Sequence, residues 1–332
     1  MVIKVRNYWV VVNLKKKIKE AIIYIIVIAL LVSTASIKLK KEEKNKIGKN
    51  IKLLTNNTVK EIDFEEYIKG VVSAEMPANF EEEALKAQAI CARTYTINKI
   101  MNSNKEVHNG ADICDKPAHC QAYCSREESI KKWEITSAKK NWDKISRAVE
   151  DTEGKIITYQ GNIISALFHS SSGGRTEDVK EVWGGTQYPY LVSVDSEGEE
   201  KIMPNFIETK EFTIKEMKEI LQKKEKKFKF NTKKDKIEIL SRTNGDRVRR
   251  IKFGSMTLSG TETRSLFGLR SANFEIELSK NKIIFTTKGY GHGAGMSQWG
   301  AQAMALEGKK CDEILKHYYT DVKIEEYWIN TT

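Results

Sequence analysis

The stretch from Asp63 to Met76, which reads DFEEYIKGVVSAEM, has the spacing of an amphipathic helix that ends in an acid. Its apolar residues recur every three or four positions and share one stripe of a helix. These residues are Phe64, Ile68, Val71 and Val72. Asp63 and Glu66 predict a capping box at the start, and Pro77 predicts the end. Glu75 continues the apolar stripe in the last turn, where burial and the negative end of the helix dipole both favour the protonated carboxyl group. The sequence therefore predicts that Glu75 is a proton donor.

A second helix is predicted from Glu82 onward, with charged residues on one face. Lys86 and Arg93 lie seven positions apart, so they share that face. Two cations near the Glu75 carboxyl group would suit a polar, oxygen-rich substrate. The alternative is that Glu75 is a partly solvated last-turn residue beside an ordinary charged surface, because carboxyl groups with shifted pKa also occur in structural networks.

Two strings in this region, GVVSAEMP and EALKAQAICARTYT, resemble the catalytic segment of the stage II sporulation protein D family of peptidoglycan lytic transglycosylases. In that family the glutamate of the AEMP string is catalytic, and Glu75 occupies the matching position. The resemblance also implies that the family's substrate-groove lysine and arginine correspond to Lys86 and Arg93. It extends over roughly residues 55 to 322.

Two further strings resemble the family's other signatures. HSSSGG, at residues 169–174, follows a hairpin predicted over residues 155–172 with its turn at Gln160-Gly161. KGYGHGAGMSQWGAQA, at residues 288–303, alternates glycine with larger residues, so its backbone can approach a ligand or another segment. This loop lacks the spacing of a nucleotide-binding motif. The resemblance implies that five residues of these strings line a glycan groove. They are His169, Ser170, His292, Ser297 and Gln298. Taken alone, a histidine after a strand is more often a structural residue, and Trp183 and Tyr190 could either stack on sugars or belong to the core.

The insert HNGADICDKPAHCQAYC, at residues 108–124, contains three of the five cysteines. It offers two imidazoles and two thiols, a set that suits tetrahedral zinc. The candidate ligands are His108, Cys114, His119 and Cys120. Four protein ligands would make the zinc structural and leave no position for a reactive water, which argues against a metallohydrolase. A disulfide from Cys114 to Cys120 or Cys124, or thiols without a role, are the alternatives. The insert resembles a metal-binding loop of some clostridial family members.

The N-terminal region predicts a membrane anchor. Residues 21–36 carry no charge and follow a lysine-rich stretch. We predict a transmembrane helix over residues 21–37 and a tether over 38–56. Lysines flank both ends of the helix, so charge alone orients it only weakly. The resemblance implies a cytoplasmic segment over residues 1–20 and a catalytic region, 57–325, outside the cell membrane. Cleavage near Ser33-Thr34-Ala35, as in a signal peptide, is the alternative.

The net charge of +11 is concentrated between residues 210 and 252. Nucleic-acid binding would require a recognisable motif with interleaved aromatic residues, and the sequence contains none. An anionic cell wall or lipid surface is a better partner, although a solvated lysine-rich surface would explain the same charge.

The pattern of elements predicts an α+β fold with two closely connected subdomains, about 57–195 and 196–325, around a groove. Within the second subdomain, residues 209–221 predict a short helix and residues 237–251 predict a hairpin around Asn244-Gly245. A strand over residues 283–287 leads into the glycine loop, and Ser297 is the predicted cap of the helix that follows.

The resemblance implies a lytic transglycosylase that acts on peptide-free peptidoglycan glycan strands during sporulation and engulfment. Glu75 would act first as acid and then as base. The implied partners are a cell-wall amidase and a multispanning membrane protein, at the septum and the engulfing membrane. The alternative is a glycan-binding amidase enhancer without chemistry of its own.

Overall fold

The computed structural model describes residues 49–102, 105–279 and 281–327. The predicted cytoplasmic segment and transmembrane helix, residues 1–37, lie outside these residues. Across the described ranges, no helix is long and apolar enough to cross a membrane. Residues Asn50–Tyr327 form one compact unit. The boundary between two subdomains near residue 195 stays a prediction.

Helices and strands are mixed along the chain, as expected for the predicted α+β class. The strands are β1 (Asn50–Thr55), β2 (Thr58–Asp63), β3 (Ile113–Cys114), β4 (Lys155–Tyr159), β5 (Asn162–Ile163), β6 (Phe168–His169), β7 (Ile207–Thr213), β8 (Ile237–Arg242), β9 (Val248–Phe253), β10 (Met256–Ser259), β11 (Phe274–Ser279), β12 (Lys282–Lys288), β13 (Met296–Ser297) and β14 (Lys323–Glu326). The α-helices are α1 (Phe64–Glu75), α2 (Glu82–Asn102), α3 (Arg126–Lys132), α4 (Ile135–Glu150), α5 (Val179–Trp183), α6 (Glu199–Ile202), α7 (Ile214–Gln222), α8 (Gly260–Phe267), α9 (Gln298–Leu306) and α10 (Cys311–Tyr318). A 3₁₀ helix spans Lys105–His108.

Helix α2 is the centre of the N-terminal half. It packs against α1, α4, α9, α10 and β4. Small and apolar side chains on several faces make this possible, since neighbouring helices can approach it from more than one direction. Cys91 is one of its buried residues.

Helix α1 is amphipathic, as its spacing predicts. Its buried residues include the whole predicted apolar stripe. The side chain of Asp63 caps the helix by accepting hydrogen bonds from the backbone N–H groups of Glu65 and Glu66. The reciprocal half of the predicted capping box is absent, because the Glu66 carboxylate pairs with Lys69 at 2.7 Å.

The folded region begins earlier than the predicted start at residue 57. Strand β1 pairs with β2 as an antiparallel hairpin and with β3 in parallel. Ile51 and Leu53 of β1 are buried. The last residues of the predicted tether are therefore part of a sheet, because two apolar residues at alternate positions give β1 a buried face.

A second core lies in the C-terminal half. It joins the sheet β10-β9-β8, the sheet β11-β12-β7 and helices α7 and α8. The helix predicted over residues 209–221 begins only at Ile214, because Ile207–Thr213 is a strand, β7, that pairs with β12. The side chains of β7 alternate between half-buried and exposed, as on one strand at the edge of a sheet. The capping box at Thr213 then starts the helix at Ile214. The hairpin around Asn244-Gly245 is confirmed as β8 and β9.

Arg93 does not lie in a substrate groove; it is fully buried in the core. Its Nε and Nη2 atoms donate hydrogen bonds to the two carboxylate oxygens of Glu65, at 2.8 and 2.7 Å. The guanidinium group also donates to the backbone carbonyl groups of Lys155, at 3.2 Å, and Val149, at 3.3 Å. One side chain on α2 therefore connects α1, the end of α4 and the start of β4. The prediction of Arg93 as a substrate ligand is wrong, because helical spacing cannot distinguish a face that meets solvent from one that meets another helix.

Lys86 is likewise engaged within the protein. Its ammonium group pairs with Glu82 at 3.0 Å, with Asp151 at 2.8 Å and with Glu83 at 3.7 Å. Its carboxylate partners come from its own helix and from the end of α4. Lys86 therefore supports the packing of α2 against α4, and the prediction that it contacts substrate is not supported by its position.

Replacing Arg93 with methionine should lower the free energy of unfolding by about 3–5 kcal/mol, because the Glu65 carboxylate would remain partly buried without its counter-charge. Adding Glu65→Leu to Arg93→Met should recover part of this loss, since the uncompensated charge is then removed. Urea unfolding of the three proteins tests this expectation. The control is Lys139→Met, which removes an exposed ion pair with Asp143 and should cost no more than about 1 kcal/mol. Equal small losses in Arg93→Met and the control would contradict the structural role.

Candidate active site

A cleft of about 710 Å³ opens at the C-terminal end of α1, where Glu75 is the last helical residue. Its walls come from α1, the insert after β3, the loop that follows β6, helix α5, helix α8 and the glycine-rich loop before β13. Glu75 is the only carboxylic acid among the described residues that line this cleft. The predicted acid is therefore alone in a recess that is large enough for sugar rings.

The Glu75 carboxyl group is held by two segments that are distant in sequence. Its Oε1 atom accepts a hydrogen bond from the backbone N–H of Ala122, at 2.8 Å. Burial raises the pKa of Glu75 above its ordinary value of 4.5, and hydrogen bonds from Ala122 and from the Gln298 side chain offset only part of this effect. Glu75 therefore retains its proton to a higher pH than an exposed glutamic acid, as a general acid requires.

The HSSSGG string and the glycine-rich loop lie against each other. Strands β6 and β13 pair in parallel, with His169 opposite Ser297. A side-chain carbon at Gly291 would lie 2.9 Å from the Cβ atom of His169, and one at Gly295 would lie 2.0 Å from the carbonyl oxygen of Leu167. Both glycines also have positive φ values, of 116° and 75°. The glycines therefore allow a second segment, and not a nucleotide, to approach the loop.

The predicted residues His169 and His292 both line the cleft. Their rings are 5.4 Å apart. His169 hydrogen-bonds through Nδ1 to the Ala294 carbonyl at 3.2 Å, and its buried Nε2 has no partner in the described part of the chain. The Nδ1 of His292 accepts a hydrogen bond from the Ala294 N–H at 3.1 Å.

Both imidazoles are neutral. Burial lowers the pKa of His292 to about 3, and the nearby Arg264 and Arg247 guanidinium groups contribute to this shift. Burial also lowers the pKa of His169 well below its ordinary value. The two rings can therefore exchange hydrogen bonds with a substrate without adding positive charge to the cleft.

Two of the three predicted residues near this loop face the cleft. Ser170 and Gln298 line it, whereas Ser297 does not. Ser297 is buried, and its hydroxyl oxygen caps α9 by accepting a hydrogen bond from the backbone N–H of Gly300 at 3.2 Å. The helix cap predicted at Ser297 is confirmed, but its predicted contact with the glycan is not supported by this position.

Exposed aromatic residues flank the two histidines. Trp183 is 57% exposed, and its ring lies 4.9 Å from that of His292. Tyr190 is instead packed 5.5 Å from Tyr159, and its hydroxyl accepts a hydrogen bond from the Ser165 N–H. Trp183 is therefore available for stacking, whereas Tyr190 serves packing.

Sequence reasoning missed several residues of the cleft, among them Tyr290 and Arg264. Tyr290 is 47% exposed. Its position between the flexible glycines of the loop was a usable signal. Arg264 lies in α8, 90 residues after the end of the HSSSGG string, and nothing in the local pattern predicts that it reaches the same cleft.

The four predicted metal ligands converge. Their donor atoms all lie within 4.8 Å of one another. His108 Nε2 and His119 Nδ1 are 2.9 Å apart, and each lies 3.4–3.5 Å from the Cys120 sulfur. The Cys114 sulfur is 3.5 Å from His119 Nδ1. Two nitrogen and two sulfur donors at these separations fit a tetrahedral zinc ion, whose bonds are about 2.0–2.3 Å long. All five cysteines are free, so neither of the alternative disulfides is present.

The insert contacts the Glu75 carboxyl group through a backbone hydrogen bond. Ala122, which donates to Glu75, follows the predicted metal ligand Cys120 by two residues. Between them, the Gln121 amide donates a hydrogen bond to Thr96 of α2 at 2.9 Å. Gly70 of α1 lies so close to this segment that a side-chain carbon there would be 2.4 Å from the Tyr123 ring. The position of the metal-ligand loop therefore determines the position of a hydrogen-bond donor to Glu75.

Comparisons with known proteins identify the family of this chain. The family model described as "Stage II sporulation protein" (SpoIID) matches residues 54–159. A stage II sporulation protein D of Bacillus subtilis is 41% identical over 272 residues, which are 82% of this chain and 77% of that protein. The protein of the same name from Bacillus amyloliquefaciens is 38% identical over 273 residues, with the same coverage. An amidase enhancer of Bacillus subtilis is 30% identical over 308 residues, but these are only 40% of its length. The resemblance seen in the motifs is therefore confirmed, and the chain belongs to the stage II sporulation protein D family.

Proposed function

We propose that this sporulation protein is a lytic transglycosylase that cleaves peptidoglycan glycan strands. The observation that carries the proposal is Glu75, a carboxylic acid with a raised pKa, alone in a cleft lined by neutral histidines and exposed aromatic rings. Exposed aromatic rings suit the apolar faces of sugars, and the neutral imidazoles and amide of Gln298 suit their hydroxyl groups.

The absence of a second acid from the described cleft lining favours this chemistry over ordinary glycoside hydrolysis. A hydrolase of either stereochemistry uses two carboxyl groups, about 5–9.5 Å apart. Three acids from the region between β6 and α6 are engaged elsewhere. Glu177 accepts a hydrogen bond from Thr243, Asp178 accepts one from the Ser193 N–H, and Asp195 pairs with Arg175.

A single acid is sufficient if the nucleophile belongs to the substrate. Protonated Glu75 donates its proton to the glycosidic oxygen as the bond from that oxygen to C1 of muramic acid breaks. The resulting carboxylate then accepts the proton of the muramic acid 6-hydroxyl as O6 bonds to C1. The products are a strand with a free 4-hydroxyl group and a strand that ends in 1,6-anhydromuramic acid, and Glu75 regains its proton.

We propose a structural zinc ion held by the His108, Cys114, His119 and Cys120 side chains. Bound zinc would supply rigidity to the insert, because four protein donors complete its tetrahedral coordination. The insert would in turn hold the Ala122 N–H against Glu75. The proposed setting is the outer face of the cell membrane, with an N-terminal anchor, a cell-wall amidase and a multispanning membrane protein as partners and with peptide-free strands as substrate.

The second candidate function is a glycan-binding enhancer of an amidase. It is favoured by the 30% identity to the protein named amidase enhancer. Release of sugar products by the purified protein alone would separate the two functions, because an enhancer would bind strands without shortening them.

Replacing Glu75 with glutamine should reduce the rate of strand cleavage by at least about 100-fold, because the amide keeps the shape of the acid but has no acidic proton to donate. Binding of strands should change by no more than a few-fold. Turnover of purified glycan strands and equilibrium binding measure the two effects. In the unchanged protein, the rate should fall as pH rises through the raised pKa of Glu75, above 4.5. A Glu75→Gln variant with normal turnover would exclude Glu75 as the acid.

Cleavage in water enriched in heavy oxygen should produce strand ends without the label, because O6 of the sugar and not water attacks C1. Mass spectrometry of the products should show 1,6-anhydromuramic acid. The control is a hydrolytic muramidase acting on the same strands, which should incorporate one labelled oxygen for each cut. Labelled reducing ends from this protein would indicate a hydrolase and would direct attention to Glu177, Asp178 or Asp195.

Protein prepared without chelators should contain one zinc ion per chain. Cys114→Ser should lose this zinc and lower the melting temperature, because the insert would lose a ligand. The matched control is Cys124→Ser, which changes a cysteine outside the four-residue cluster and should retain full zinc. Metal analysis and thermal unfolding measure both outcomes. Protein without zinc that contains a Cys114–Cys120 disulfide would contradict the assignment.

A further inference from the structure

A second hollow of about 460 Å³ adjoins the cleft and shares Arg264 and Tyr290 with it. Its other lining residues belong to α8 and to the Gly268-Leu269-Arg270 segment that follows. The described residues that line it include two arginines and no aspartate or glutamate. A ligand in the cleft could therefore extend across Tyr290 into a positively charged recess.

The guanidinium group of Arg264 has no carboxylate partner among the described residues, so it is free to bind an anionic ligand. Arg264 is half-buried, and burial lowers the pKa of its guanidinium group, which nevertheless stays charged at neutral pH. The only hydrogen bond of this guanidinium group within the described ranges is a long one, from Nε to the Leu269 carbonyl at 3.4 Å. The remaining N–H groups of the guanidinium are therefore available to a ligand.

Arg270 lies on the other side of the shared tyrosine. Its guanidinium carbon is 4.8 Å from the centre of the Tyr290 ring. One nitrogen donates to the Asn205 carbonyl at 2.7 Å, and the Glu208 carboxylate is 3.6 Å away. Arg270 is thus partly neutralised and fixed in place, so it steadies the Tyr290 ring and adds positive potential at the rim of the hollow. Arg264 is the stronger candidate for direct contact.

We propose that Arg264 binds the free lactyl carboxylate of a muramic acid residue in the strand, with Tyr290 supporting the sugar ring. This inference rests on the proposed function, because it assumes that the cleft beside Glu75 holds a glycan strand. A planar guanidinium can hold a carboxylate with two parallel hydrogen bonds. The continuity of the hollow with the cleft is the reason for assigning a carboxylate of the strand and not a separate ion.

The contact would make Arg264 a specificity-determining residue. When a stem peptide is attached, the lactyl carboxylate becomes a neutral amide and can no longer form an ion pair. A bulky peptide would also have to enter the hollow beside Tyr290. Arg264 would therefore be the residue that selects strands from which the peptides have already been removed.

The test compares two ligands, one with a charged lactyl carboxylate and one with a neutral lactyl amide. Peptide-free strand fragments are bound in the Glu75→Gln background, where cleavage does not interfere, and so are the same fragments after conversion of their carboxylates to methylamides. With Arg264 present, methylamidation should weaken binding by about 10- to 100-fold, since hydrogen bonds to charged groups contribute about 1.5–3 kcal/mol. With Arg264→Gln, the two ligands should bind with nearly equal, weak affinity.

Arg250→Gln is the matched control, because it removes one exposed positive charge from β9 and should leave the preference for the charged ligand intact. Arg264→Lys retains the charge without the planar fork, and it should retain only part of the preference. The proposal is overturned if the protein with Arg264 binds both ligands equally, or if Arg264→Gln keeps the full preference. Methylamidation alters the ligand and not the protein, so the first outcome stands even where a variant folds poorly. Anhydromuramic acid ends in the products of the unmodified protein test the proposed function separately.

Discussion

The buried ion pair between Arg93 and Glu65 is the interaction on which the arrangement of the N-terminal half depends. A guanidinium group in a core is tolerated only when its donors are satisfied, and here a carboxylate and two backbone carbonyl groups accept its hydrogen bonds. Because Glu65 lies in the first turn of α1 and Glu75 in its last, the pair fixes the helix that carries the acid. The remaining acceptors come from the end of α4 and the start of β4, so the same side chain aligns those elements around α2.

Glu75 acquires its chemical character from parts of the chain that are far apart. The end of α1 places the carboxyl group in the cleft, the metal-ligand insert supplies the Ala122 N–H, and the start of α9 supplies Gln298. Desolvation favours the protonated acid, while the two hydrogen bonds favour the carboxylate, and the balance is a raised pKa. This balance suits a group that must donate a proton and then accept one. The insert therefore affects the acid directly, because the position of its Ala122 N–H determines one of the two hydrogen bonds that lower the pKa of Glu75.

The electrostatics of the cleft separate two tasks. Around the acid the polar groups are neutral, because burial suppresses protonation of His169 and His292. Positive charge lies beside the histidines, at the buried Arg247 and at Arg264, and it continues at Arg270, which lines the second hollow. A cation close to Glu75 would lower its pKa and weaken it as an acid. None of these arginines contributes to the pKa shift of Glu75, so Arg264 can offer its charge to an anion without that penalty.

The sequence by itself determined the local elements and the identity of the acid. The stripe of α1, the cap at Ser297, the hairpin at Asn244-Gly245 and the four ligand residues of the insert follow from short-range rules of spacing, capping and donor chemistry. The family was likewise evident from its motifs. Only the tertiary structure decided which face of α2 is covered. As a result, Arg93 is buried in the core and Lys86 pairs with carboxylates of α2 and of the end of α4. Only the tertiary structure places Arg264 in the cleft. Helical periodicity specifies which residues share a face, but the partner of that face is chosen by long-range packing, and no local pattern records it.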